Sequence, residues 1–174
     1  MAGVLVYGFG PYMGFRENVT EKTIRALPRS LRAQRKVFAV KFDRGMFERE
    51  LERVRPEVVI GMGQHPRARK LRLERIAKRG AVRRTVSLSL PRTADTTTTY
   101  DAGGYVCNFS MWVAQAWCAK HAARFAFIHV PRDYPPARLA AYLSTCLSGL
   151  RKDAGARSSP RGRARSKSGR SARR

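Results

Sequence analysis

Short strand-like runs alternate with helix-like stretches along the first 150 residues, and this alternation limits the fold more than any other feature of the sequence. Strands are predicted at Val4–Tyr7, Lys36–Phe42, Glu57–Met62 and Phe125–Val130, with a weaker, edge-type strand at Val82–Leu90. Such alternation is typical of βαβ units, in which helices cover both faces of a largely parallel sheet. We therefore predict an α/β protein with three layers, built on a twisted, mostly parallel or mixed sheet flanked by helices.

Residues with a preference for helix ends mark the predicted helices. Asn18, followed three residues later by Glu21, resembles a capping box for a helix at Val19–Leu27. Asp43 is a suitable N-cap for a second helix, because its carboxylate can accept a bond from a free backbone N–H. Further helices are predicted at Asn108–Lys120 and from Pro136 onwards.

The chain is strongly basic, with 36 Lys and Arg residues against 12 acidic residues and a formal net charge of +24. Residues 1–150 are predicted to form one domain, and residues 151–174, rich in Arg and Ser without apolar periodicity, a disordered basic tail. A positive field of this size favours polyanions and acidic surfaces. The tail has no aromatic residue for base stacking. Non-specific contact with nucleic acid is therefore considered as an accessory property, and specific RNA recognition is not expected.

The cysteines indicate the compartment. Cys107, Cys118 and Cys146 are odd in number and widely spaced, which favours reduced thiols in the cytoplasm over a disulfide framework. No set of Cys and His residues has the spacing of a zinc site. The first residues lack the features of a signal peptide, and no apolar run reaches the length of a membrane span. A cytoplasmic protein without a membrane partner is therefore expected.

The stretch YDAGGYVCNFSMW, residues 100–112, contains a candidate nucleophile. Gly103 and Gly104 permit a tight turn, and Cys107 then falls close to the beginning of a predicted helix. The free N–H groups and the dipole of a helix N-terminus lower the pKa of a thiol and can bind a developing oxyanion. Cys107 is therefore the candidate for nucleophilic catalysis.

A cysteine nucleophile works with a histidine base and a third group that orients the imidazole. His129 lies near the end of a predicted strand, in FAFIHVP, and ligands bind at strand ends in open α/β sheets. Glu74 is one of few acids in a basic stretch. Taken alone, Glu74 could equally pair with Arg72 or Arg75 on the surface, and His129 could be a structural histidine.

Four segments of the chain resemble the pyroglutamyl-peptidase I family, the cytosolic pyrrolidone-carboxylate peptidases, which are cysteine peptidases. VLVYGFGPYMGFRENVT resembles the N-terminal strand and GF-x-PF loop of the family, and VVIGMGQ with ERIA resembles its glutamate segment. DAGGYVCN is similar to the nucleophile motif AGTYVCN, and FAFIHVP to the histidine motif GFIHVP. The last two motifs are the specific ones. The resemblance covers most of residues 3–145 and implies a phosphorylase/hydrolase-like fold.

The resemblance implies a role for seven residues. Cys107 would be the nucleophile, His129 the base and Glu74 the residue that orients the imidazole. The positions that match substrate-binding residues of the family are Phe9 and Tyr12, which would sandwich a lactam ring, Gln64, near its polar edge, and the loop residue Asn18. The implied reaction is removal of an N-terminal pyroglutamate (5-oxoproline) from peptides by thiol acyl transfer, an omega-peptidase activity, without a metal or cofactor.

The chain also departs from the family's pattern. The stretch between Glu74 and Cys107 is shorter than in the family, and PRARK follows Gln64 where the family has a glycine-rich segment. The sequence is therefore compatible with two functions: the omega-peptidase, and a weak or inactive member of the family that acts as a binding protein, with nucleic acid as a candidate partner. The sequence predicts no particular oligomeric state.

Overall fold

The computed structural model describes residues 3–157, which contain a six-stranded sheet, a separate two-stranded hairpin and four α-helices. In chain order the elements are β1 Val4–Phe9, α1 Val19–Ala26, a 3-10 helix Arg29–Leu31, β2 Gln34–Phe38, α2 Arg44–Val54, β3 Val58–His65, β4 Leu71–Glu74, β5 Ile76–Arg79, β6 Val82–Thr85, β7 Thr96–Thr99, α3 Val106–Lys120, β8 Arg124–Pro131 and α4 Pro136–Arg157.

The main sheet is mixed and has the strand order β2-β1-β3-β8-β4-β7. Its first four strands are mutually parallel, β4 runs antiparallel to β8, and β7 runs parallel to β4. The hairpin β5-β6 stands apart from this sheet. The predicted α/β class with a mostly parallel or mixed sheet is confirmed.

Helices cover both faces of the sheet and complete the three predicted layers. Alternate residues of β1 point to opposite faces, with Val4 and Val6 in one core and Leu5, Tyr7 and Phe9 in the other. Helices α1 and α4 pack in the first core, and α2 and α3 in the second. A strand buried on both faces has no polar side, and this is why the central strands are continuous apolar runs in the sequence.

The predicted helix caps are present. The Asn18 side chain accepts a hydrogen bond from the backbone N–H of Thr20 at the start of α1, and Asp43 accepts one from Met46 at the start of α2. Glu21 pairs with Arg25, one turn further along the helix, instead of completing a capping box. Of the helices within residues 3–157, none combines the length and the hydrophobicity that a bilayer crossing requires.

Several predicted boundaries are wrong in the outer part of the sheet. The expected strand Val82–Leu90 is a strand only at Val82–Thr85, where it forms the hairpin, and β4 and β7 have no predicted counterpart.

Helix α4 continues through Arg151, the predicted start of the tail, to Arg157. Residues 158–174, with the disorder predicted for them, lie outside the described residues.

Candidate active site

The carboxyl ends of the parallel strands β1, β3 and β8 meet at one edge of the sheet, where they form part of a cavity of about 330 Å³. Six of the seven predicted site residues line this cavity: Phe9, Tyr12, Asn18, Gln64, Cys107 and His129. The seventh, Glu74, lies behind it and contacts His129. The fold thus brings together residues that are more than 100 positions apart in the sequence.

Cys107 is the second residue of α3, whose N-cap, Tyr105, provides no side-chain hydrogen bond to the first turn. Its sulfur lies against the backbone of Gly63, where a Cβ atom would overlap it. The same Cβ position is 3.3 Å from Cδ2 of His129, which pairs with Gly63 across β3 and β8. The thiol and the imidazole therefore lie next to each other above Gly63, which has no side chain to separate them. Gly63 is a site residue that sequence reasoning missed.

His129 and Glu74 form a buried pair, with Nδ1 of the imidazole 2.8 Å from Oε1 of the carboxylate. His129 is 3% exposed and Glu74 1%. Because Nδ1 donates to the carboxylate, Nε2 is the ring nitrogen that can exchange a proton. Glu74 lies on β4, which is held by backbone ladders to β8 on one side and β7 on the other. This is the arrangement of a base and the group that orients it.

Arg72, which the sequence offered only as a surface partner of Glu74, links three parts of the site. Its Nε lies 3.2 Å from Glu74 Oε1, its Nη1 lies 3.0 Å from Nε2 of His65, and its Nη2 donates to the carbonyl of Asp101 at 2.9 Å. One guanidinium therefore touches the buried acid, a histidine that lines the cavity and the segment before Cys107. The sequence signal for the contact with Glu74 was the spacing: Arg72 lies two residues before Glu74 on a strand, so both side chains point to the same face of the sheet.

Replacing Arg72 by methionine is expected to lower kcat of the reaction proposed below roughly tenfold, with KM changed less than about twofold, because Glu74 loses a charged partner and the imidazole is less well oriented. Arg72→Lys should recover part of kcat. The control is Arg75→Met, because Arg75 donates to Ser89 and the Leu88 carbonyl, away from the cavity. Equal losses in both variants would contradict this role.

His65 belongs to the site, although its sequence context did not distinguish it from a structural histidine. It lines the cavity, and its ring centroid lies 5.2 Å from that of His129, edge to face. Burial lowers the pKa of His65, and the charges of His129 and Arg72 act in the same direction. His65 is therefore neutral near pH 7, with Nε2 as the acceptor of the Arg72 contact.

The environment of Cys107 corrects one expectation from the sequence. Burial, and after it the negative charge of Glu74, raises the pKa of the Cys107 thiol to about 12, while the hydrogen bond from the backbone lowers it by less. The predicted lowering of the thiol pKa by the helix N-terminus is thus wrong for this structure, because desolvation of the thiolate outweighs the helix contribution. The group at rest is a thiol, and it needs a base at the moment of reaction.

The hairpin strand β5 anchors the segment around Cys107 on both sides. The backbone N–H and carbonyl of Lys78 bond to the side-chain amide of Asn108, each at 2.8 Å. The Lys78 ammonium pairs with Asp101 at 3.1 Å, and Asp101 also accepts from the N–H of Gly103. That backbone bond and Lys78 lower the pKa of Asp101. The carboxylate next to the candidate nucleophile is therefore neutralised by a cation.

Gln64 and Asn18 differ in their freedom to bind a ligand. Gln64 accepts from the N–H of Val19 through Oε1, while its buried Nε2 makes no hydrogen bond of normal geometry among the described residues, with the Tyr12 hydroxyl as its nearest polar neighbour. Asn18 accepts from Thr20 and donates to the carbonyl of Gly10, so its amide already holds the loop before α1. The cavity thus contains one unused amide donor, at Gln64.

Phe9 and Tyr12 supply aromatic surface to the cavity. Phe9, the last residue of β1, is 2% exposed, and Tyr12 is half-buried in the loop that follows. The Tyr12 ring lies 5.2 Å from the ring of Phe15 and 6.4 Å from that of Tyr105, both of which also line the cavity. Aromatic faces near a single amide donor suit a flat polar ring.

No protein-family model matches the chain, and no curated protein matches it in sequence. Among solved structures, it is similar to the pyrrolidone carboxyl peptidase of Thermococcus litoralis, with a TM-score of 0.72 and 23% identity over 88% of this chain and 96% of that chain. A Pyrococcus furiosus pyrrolidone carboxyl peptidase mutant (E192I) gives a TM-score of 0.73 with 20% identity over 87% and 99% of the two chains.

A bacterial structure gives the same result. The pyroglutamyl peptidase I of Bacillus amyloliquefaciens matches with a TM-score of 0.67 and 17% identity, over 85% of this chain and 98% of that chain. Identities at this level establish the architecture, while activity must be argued from the site. The family resemblance seen in the sequence is thereby confirmed at the level of the fold: this chain has the fold of the pyrrolidone carboxyl peptidases.

Proposed function

We propose that the protein is a cysteine omega-peptidase that removes pyroglutamate from the N-terminus of peptides. The observation that carries this proposal is the cavity in which Cys107, the His129–Glu74 pair and the unused amide of Gln64 converge. Its volume, about 330 Å³, is at the small end of the range of about 300–1,000 Å³ that is usual for ligand pockets. That size suits a five-membered lactam and the residue attached to it.

In the proposed acylation, Nε2 of His129 takes the thiol proton while the Cys107 sulfur attacks the carbonyl carbon of the pyroglutamyl residue. The oxyanion is held by backbone N–H groups of the uncapped first turn of α3. The imidazolium, stabilised by Glu74 at 2.8 Å, returns the proton to the leaving amine as the C–N bond breaks and a thioester remains.

In the proposed deacylation, His129 removes a proton from water, and the resulting hydroxide attacks the thioester carbonyl. The C–S bond then breaks, the sulfur regains a proton from the imidazolium, and free pyroglutamate leaves. Both half-reactions use the same base and the same oxyanion donors, and neither needs a metal or a cofactor.

Recognition of the lactam is assigned to the aromatic and amide groups of the cavity. Phe9 and Tyr12 would contact the two faces of the ring, and Nε2 of Gln64 would donate to the ring carbonyl. Asn18 supports this site by holding the loop that carries Tyr12. Pairing the Gln64 donor with the substrate would also relieve the cost of a buried amide without a partner.

Alkylation of the free enzyme should depend on pH as expected of a buried thiol. With a pKa raised to about 12, the thiolate fraction of Cys107 grows with pH, so the rate of inactivation by iodoacetamide should rise about tenfold per pH unit from pH 7 to 10. The site of modification is read by mass spectrometry, with Cys107→Ser as the control. A plateau below pH 8 would show a stabilised thiolate and contradict a thiol resting state.

The experiment that tests the function is hydrolysis of a pyroglutamyl–fluorophore amide by the full chain, with and without iodoacetamide. Turnover that is lost on alkylation supports the peptidase. No turnover by folded protein would mean that the motif is only a structural remnant and would favour the binding protein, for which salt-dependent binding of nucleic acid is the next measurement.

Three unpaired thiols suit a reducing compartment such as the cytoplasm, where this peptidase is expected to act.

A further inference from the structure

We propose that a basic groove beside the cavity binds acidic side chains in the leaving part of the substrate, so that the enzyme prefers pyroglutamyl peptides with acidic residues two or three positions after the lactam. The inference rests on the function proposed above. It adds a substrate class to that function and a binding site outside the lactam cavity.

The basic groove has a volume of about 640 Å³ and lies between the turn that joins β3 to β4 and the outer strand β7. Its cationic lining consists of Arg67, Arg69, Lys70 and Arg72, and threonines of β7 line the other side. The hydroxyls of Thr97 and Thr99 can donate to an anion, as can the cations, whereas the Thr96 hydroxyl donates to the Thr93 carbonyl. The lining is thus polar and positive, in contrast to the apolar lining of the lactam cavity.

Three of the four cations are free for a ligand. Arg72 is engaged by Glu74, His65 and Asp101. Among residues 3–150, no carboxylate lies within ion-pair distance of Arg67, Arg69 or Lys70, and all three are exposed. In the same groove the hydroxyl oxygen of Thr99 is buried without a hydrogen-bond partner among the described residues. Unpaired cations beside an unpaired hydroxyl indicate a site for an anionic group.

The basic groove and the cavity are adjacent. His65 and Pro66 line the cavity, and the groove begins with the next residue, Arg67. The Arg72 guanidinium lines the groove and contacts Nε2 of His65 at 3.0 Å, so it spans the boundary. An extended peptide advances about 3.3–3.6 Å per residue. The second and third residues after the lactam therefore reach the groove if the leaving peptide passes His65.

The occupant we assign is an acidic peptide segment and not nucleic acid. The lining of the basic groove contains no aromatic side chain, whereas sites for single-stranded nucleic acid use aromatic rings on which bases stack. The position next to the proposed nucleophile also favours a part of the substrate over an unrelated polyanion.

The test compares the kcat/KM of two peptides, pyroglutamyl-Ala-Glu-Glu-Ala and pyroglutamyl-Ala-Gln-Gln-Ala, with the full chain. Wild type should prefer the acidic peptide roughly tenfold at about 50 mM salt and about twofold at 0.5 M salt, since exposed charge pairs are weak and screened. In the triple variant Arg67→Gln/Arg69→Gln/Lys70→Gln, the preference should disappear while the kcat/KM of the neutral peptide stays within about twofold.

The matched control removes three cations from the amino ends of the parallel strands, away from the groove: Arg29→Gln/Lys120→Gln/Arg124→Gln. Arg29 lies before β2, Lys120 is the last residue of α3 and Arg124 is the first residue of β8; Arg29 and Lys120 are exposed and Arg124 is half-buried. The control has the same net charge as the test variant and keeps the same tail. If the preference for the acidic peptide fell equally in both triple variants, the proposed role of the groove would be overturned, and the preference would result from the overall positive charge of the protein.

A binding measurement separates failure of this inference from failure of the proposed function. Fluorescence anisotropy of both labelled peptides with the Cys107→Ala protein does not require turnover, and the acidic peptide should bind roughly tenfold more tightly with the same dependence on the three cations. Equal affinities would overturn the inference even if the enzyme is active. The inference would also be overturned if the acidic peptide bound equally tightly with proline in place of pyroglutamate. It would likewise be overturned if a single-stranded oligonucleotide bound more tightly than the acidic peptide and this binding were lost in the test variant.

Discussion

Cys107→Ser is expected to lower the rate of pyroglutamyl amide hydrolysis by roughly 10³–10⁶-fold, with the secondary structure and melting temperature nearly unchanged. The hydroxyl that replaces the thiol is a far weaker nucleophile, and it remains next to the same histidine. The substitution is close in size, and Cys107 packs beside a cavity, so the core need not rearrange. The measurement is initial rate against enzyme concentration, with circular dichroism on the same samples.

The control for this variant is Cys118→Ala, on the same helix. Cys118 is fully buried, does not line the cavity and lies three turns further along α3. Its replacement should reduce stability slightly and leave the rate per folded molecule within about twofold. Full activity of Cys107→Ser, or loss of activity in both variants, would contradict the assignment of the nucleophile.

Gly63→Ala should reduce kcat/KM by about 100-fold or more with a small change in melting temperature. The new methyl group would occupy the position of the Cys107 sulfur, which must rotate away from His129, and misplacement of a reacting atom by about 1 Å can cost that much. The atom that must move most is the end of a short side chain at the edge of a cavity, while Cζ of Phe127 at 3.1 Å and Cδ2 of His129 at 3.3 Å need shift by only a few tenths of an ångström. The backbone of Gly63 is compatible with alanine, because its φ is not positive.

Gly61→Ala is the matched substitution two residues earlier on the same strand. There the methyl group would overlap the rings of Tyr7 and Phe127 in the core, so we expect a loss of about 1–3 kcal/mol in the free energy of unfolding. Activity per folded molecule should fall less than in Gly63→Ala. A Gly63→Ala protein that is as active as wild type would show that the sulfur reacts from another position.

The central part of this fold could be predicted from the sequence because its strands are buried on both faces. Val4–Phe9, Val58–His65 and Arg124–Pro131 are apolar runs, and the caps Asn18 and Asp43 use local chemistry. The outer strands could not be found in the same way. β7 reads TTTT and β4 reads LRLE, and both are fixed by backbone ladders that leave little trace in a hydrophobic pattern.

The same distinction applies to the site. The motifs around Cys107 and His129 are contiguous, and so they could be read directly. The supporting groups, Arg72, His65 and Gly63, act through contacts between elements that are distant in the sequence and had no signal of their own beyond spacing. The thiol pKa depends on burial, which results from how α3 packs on the sheet. The sequence around a helix end contains no information about the burial of a side chain.

The position of Glu74 on β4 has a consequence for how this protein acquires its proposed activity. The parallel strands and α3 are sufficient to bring Cys107 and His129 to one edge, but the carboxylate arrives only when β4 pairs antiparallel with β8. A chain that has folded its central sheet without this outer addition would have a thiol and an imidazole without an oriented proton acceptor. Full peptidase activity would thus mark completion of the sheet, and partly assembled molecules would be nearly inert toward peptides.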